Sequence, residues 1–85
     1  MLKGLLNMLR VSFIDGLVLE GNTFKDIVLK LRKESFSPGK NVNEFMKETQ
    51  QRAKLQTGEP IFYSDAETFI KELKRVNLVT AIEEF

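Results

Sequence analysis

Apolar and polar positions change period along this chain, and each change of period marks an element. Branched and apolar residues crowd both sides of Asp15-Gly16, from Leu9 to Leu19. Asp tolerates positive φ and Gly adopts it freely, so this dipeptide predicts a two-residue type I′ hairpin turn. The pairing would set Ile14 opposite Leu17, Phe13 opposite Val18 and Ser12 opposite Leu19. One face then carries Ile14, Leu17 and Leu19, and the other Leu9, Val11, Phe13 and Val18, so both faces are apolar. A hairpin with one wet side should alternate instead. Either helices cover both faces, or a second copy of the chain covers one.

Three helical stripes follow. Phe24, Ile27, Val28 and Leu31 recur at i, i+3, i+4 and i+7 behind a capping box of Thr23 and Asp26, predicting a first helix over 24–34. Leu29 and Phe36 fall off that stripe and suit a second helix or a partner. Ser35 to Lys40 reads as a loop. Its Gly39-Lys40 lacks both the earlier glycine and the following Ser or Thr of a phosphate loop. A second helix begins at Asn41, with Glu44 in capping position, and buries Val42, Phe45, Met46, Thr49 and Ala53 until Gly58 and Pro60 end it. Lys47, Gln50, Gln51 and Lys54 lie opposite that stripe.

Ile61-Phe62-Tyr63 reads as a short strand, and Ser64 with Glu67 as the capping box of a third helix that buries Ala66, Phe69, Ile70 and Leu73. Asn77 suits the left-handed position that closes this helix, with Leu78 meeting Leu73. Residues 78–82 have strand composition, which would make 61–63 and 78–82 parallel neighbours in a right-handed βαβ unit. Continuation of 78–85 as helix is the alternative. The expected class is α+β: a hairpin, three helices, and short strands before and after the last helix completing a small sheet. The hairpin, its Asp15-Gly16 turn and the helix capped at Thr23 resemble the first half of β-grasp domains of the TGS type. The likeness covers 9–34 and implies two further strands. The sequence supplies a helix from Asn41 instead, so the resemblance is one of local geometry and assigns no family.

Eighty-five residues make a single domain over 1–85. Leu2, Leu5, Leu6 and Leu9 have helical spacing, so 1–8 is either a short turn packed on the core or an extension ahead of a start at Met8. Gly4 and Asn7 interrupt that stretch, it carries no small-residue cleavage site, and no run is long enough to span a membrane; a cytoplasmic location is the default expectation.

Charge is balanced overall at +1 but divided along the chain. Residues 25–54 hold eight basic side chains against four acidic ones, and residues 55–85 three against six. With no cysteine and no histidine, thiolate zinc sites and the commonest general base are absent, and no cofactor or metal is expected. An enzyme is the least supported class. The preferred reading is a small non-catalytic interaction module acting on another protein or on a second copy. Its expected contact residues are Leu29, Phe36, Ile14, Leu17 and Leu19. The alternative is nucleic-acid binding through the basic 25–54 segment, with Lys47 and Lys54 on phosphates and Gln50 and Gln51 toward the bases.

Overall fold

The computed structural model describes residues 8–85, so the expectations for 1–7 lie outside the described residues. The chain runs β1 (Leu9–Phe13), β2 (Val18–Gly21), α1 (Phe24–Glu34), α2 (Val42–Thr57), α3 (Ala66–Arg75) and β3 (Val79–Glu84). The strands form one antiparallel sheet in the order β2-β1-β3, with β1 in the middle. The α+β class is as the pattern predicts.

The hairpin forms, but one residue out of the expected register. Val11 lies opposite Leu19 and Ser12 opposite Val18. The loop is Ile14-Asp15-Gly16: the Gly16 amide donates to the Phe13 carbonyl (3.0 Å) and the Phe13 amide to the Leu17 carbonyl (2.8 Å). Gly16 alone takes positive φ (+95°), giving a type I turn closed by a glycine bulge rather than type I′. A slip of one residue exchanges the faces. Leu9, Val11 and Leu19 now share the buried face, while Arg10, Ser12, Val18 and Glu20 share the outer one. The two-sided apolar hairpin is therefore corrected, and with it the reason for a second copy to cover one face.

Both helices that pack on the sheet keep their predicted stripes. Thr23 caps α1 with a full capping box: its Oγ1 accepts from the Asp26 amide (3.1 Å), and the Asp26 carboxylate accepts from the amides of Thr23 (3.3 Å) and Asn22 (3.1 Å). Ile27 and Val28 bury beneath it. At the end of α3, Asn77 stands at φ +67°, and the Leu78 amide donates to the Leu73 carbonyl (2.9 Å), the closure expected of a left-handed cap. The cap of α3 itself is Asp65 with Thr68, one residue later than the expected Ser64 and Glu67. Asp65 accepts a first-turn amide more strongly than a hydroxyl does, because it is charged.

Residues 61–63 are not a strand. Side chains satisfy the backbone here in place of a ladder: Gln50 Nε2 donates to the Ile61 carbonyl (2.7 Å), Arg75 to that of Pro60 (2.7 Å), and the Phe62 amide donates to Glu72 (3.0 Å). The expected parallel unit is replaced by β3 running antiparallel beside β1, with a bulge where Phe13 pairs Val79 rather than Thr80. One contiguous core, centred on Val11, Ile27, Phe45, Ile61, Phe69 and Ile70, joins sheet and helices.

Candidate functional site

The first turns of all three helices meet at one end of the molecule. Between them lies a cleft of about 870 Å³. Thr23, Phe24 and Lys25 come from the start of α1, Val42 and Asn43 from the start of α2, and Asp65, Ala66 and Glu67 from the start of α3. Met8, Leu9 and Glu84 close it from the sheet. Its walls are mainly apolar: Leu9, Phe24, Val28, Val42, Met46 and Ala66.

Three helix starts around one cleft suggest an anion site at first sight, because free amides and the helix dipole favour negative charge. Here the chain puts its own acceptors in that place. Thr23 takes the Asp26 amide, Asn41 the Glu44 amide (2.9 Å) and Asp65 the Thr68 amide (2.9 Å). Glu44 and Thr68 in turn accept from Lys40 (2.8 Å) and Asp65 (3.1 Å). The Thr68 amide, then its hydroxyl, hold the Asp65 carboxyl below its ordinary value of 3.8. The cleft is thus an apolar hollow with carboxylates on its rim.

One cation outside the lining is held against two of the lining residues. Lys71 Nζ lies 2.7 Å from Glu67 and 6.0 Å from the centre of the Phe24 ring. The hydrogen bond to Glu67 is the main reason its pKa rises, and Glu84 adds a smaller attraction. Among the described residues no cluster of three His, Cys, Asp or Glu could hold a metal ion. No helix among them is long and apolar enough to cross a membrane.

The residues singled out from sequence are dispersed. Leu19 is 9% exposed and belongs to the core, and Leu17 packs at the core's edge. The register places both on the inward face, against the expectation of an outward patch with Ile14. Ile14 is exposed at the loop tip, Phe36 is fully exposed (106%), and Leu29 (37%) lines a second hollow of about 380 Å³ with Lys30 and Lys33. On α2, Lys47, Gln51 and Lys54 are exposed, whereas Gln50 is half-buried and spent on the Ile61 carbonyl. The cleft was not found by sequence reasoning. Its walls read there as ordinary core stripes, and the one available signal was three capping motifs of similar design.

The outer face of the sheet carries different chemistry. Arg10 reaches Glu20 (2.8 Å) on one neighbouring strand and Glu83 (3.6 Å) on the other, and its guanidinium sits 4.4 Å from the centre of the Phe85 ring. Set against known protein families, curated proteins and solved structures, the chain matches none.

Proposed function

We propose that this chain is a small non-catalytic interaction module that holds an apolar segment of a partner protein in the cleft at the helix starts. The observation that carries the reading is apolar walls combined with helix starts whose capping amides are already taken. Such a hollow rewards loss of apolar surface from water, at about 25 cal/mol per Å². Its size falls within the range of roughly 300–1,000 Å³ common for ligand pockets. The partner is a second protein; with one polar hairpin face, self-association loses the argument that favoured it. The nucleic-acid alternative is weakened because Gln50 is no longer available to a base edge.

Capture assays on immobilised chain test this. Val42→Lys sets a charge into the cleft wall at the first residue of α2. Partners retained by the unaltered chain should bind at least about tenfold more weakly, roughly 1.4 kcal/mol. Lys47→Glu with Lys54→Glu should leave capture unchanged. The reverse pattern, with saturable and salt-sensitive binding of mixed-sequence duplex DNA, overturns the reading.

A further inference from the structure

We infer that the outer edge of β3 takes an extended segment of another protein as a fourth strand, with a basic residue opposite Glu83 and an apolar one beside Ile82. This edge is a separate surface from the cleft, although Glu84 belongs to both.

In an antiparallel pair, residues that exchange two hydrogen bonds alternate with residues that exchange none. Met8 and Phe85 exchange both, at 2.7 and 2.9 Å. By the register that follows, Glu83 turns its backbone groups to Arg10, while Glu84 and Ile82 turn theirs away from β1. Strand β3 ends the sheet on that side, and among the described residues no hydrogen bond reaches those amides and carbonyls. The opposite edge is guarded. By the same alternation Glu20 faces outward on β2, and its carbonyl accepts from Lys30 Nζ. The bulge opposite Ser12 and Phe13 interrupts the ladder of β3, so the open edge is residues 82–84.

Side chains and charge choose the occupant. Ile82 and Glu84 stand on the inner face with Val11 and Leu9, and Glu83 on the outer face with Arg10. An antiparallel second copy that used all the outward groups would set Glu83 opposite Glu83, where like charges repel. Arg10 pairs with Glu20 and Glu83, while Lys71 pairs with Glu67 and attracts Glu84. Two cations thus face four carboxylates, and the surplus of negative charge favours a basic partner. Backbone pairing along such an edge supplies affinity, and alternate side chains supply the choice of partner.

The test uses the full chain with labelled amides and two end-blocked peptides, Val-Lys-Val-Lys-Val and Val-Glu-Val-Glu-Val. Without peptide, the Ile82 and Glu84 amides should exchange with solvent at least about tenfold faster than that of Glu83. The lysine peptide should slow both and shift their signals, and the glutamate peptide should bind about fivefold more weakly or worse. Glu84→Pro removes one outward amide and spares the ladder to β1, so it should abolish the response, with a slow Glu83 amide showing that β3 stays in place. Val42→Lys in the cleft wall should leave peptide binding unchanged. Slow exchange at Ile82 and Glu84 without peptide overturns the inference, and slowing that grows with protein concentration gives the edge to a second copy. Equal binding of the two peptides overturns it as well. Loss of binding in Val42→Lys would move the peptide to the cleft, ending the edge proposal and leaving the cleft reading standing.

Discussion

The cleft and the outer face of α2 are the two surfaces that compete for a role, and they are built on opposite principles. The α2 face is made by one helix. Its side chains follow directly from sequence spacing, and its lysines stand in water. The cleft is made by three helix starts and two strand ends that lie far apart in the chain, and its walls belong to the core. A surface of the first kind costs little to alter and a surface of the second kind cannot be altered without touching stability. That difference can be measured.

The largest effect should come from the cleft wall. Met46 is buried and lines the cleft, so Met46→Ala should lower unfolding free energy by about 2–5 kcal/mol in denaturant titration. A loss no larger than that of a surface substitution would mean that the wall is not part of the core. Gln50→Ala should come next, at about 1–2 kcal/mol, because it leaves the Ile61 carbonyl without its donor. If Gln50 behaved like Gln51, the tie between α2 and the 60–63 segment would be wrong.

A smaller effect should appear on acidification. The Thr68 amide lowers the Asp65 pKa, and hydrogen bonds from Arg75 and then from the Phe62 amide lower that of Glu72 from its ordinary 4.5. Each group binds its proton less readily folded than unfolded. Their stabilisation is therefore complete above the ordinary carboxylate values and is lost as pH falls through the lowered folded ones. Thermal midpoints should drop below about pH 4, and Asp65→Asn, which keeps a capping side chain, should flatten part of the drop. The smallest effect should be that of Lys47→Glu with Lys54→Glu, within about 0.5 kcal/mol of the unaltered chain. A substantial loss there would show the α2 face to be structural and would erase the contrast.

What could be read in advance follows the range of the forces involved. The bounds of α1 and the closure at Asn77 and Leu78 depend on residues within one turn of each other, and both appear as expected. The hairpin register does not depend on the turn alone. Asp15-Gly16 suits a two-residue or a three-residue loop, and the choice falls to whichever register sends Leu19 inward beside Val11. Residues 61–63 have strand-like side chains, yet Gln50 and Glu72 reach their backbone groups first, and Arg75 holds the Pro60 carbonyl before them. The antiparallel placing of β3 follows from α3 starting at the cleft: the chain leaves it along α3 and must come back, and Glu84 ends there beside Leu9. Apart from the three capping motifs at its helix starts, the cleft has no local signal, because no stretch of sequence contains more than one of its walls.

The pairing of Met8 with Phe85 has a mechanical consequence. Both ends of the described fold lie side by side on neighbouring antiparallel strands, joined first by that pair and then by Leu9 with Glu84. Tension applied through these two residues would load the hydrogen bonds one pair at a time, peeling β3 from β1 like a zip. Antiparallel strands pulled from the same end have no means of sharing the load, so the fold should open at low force, beginning with the strand contacts that border the cleft.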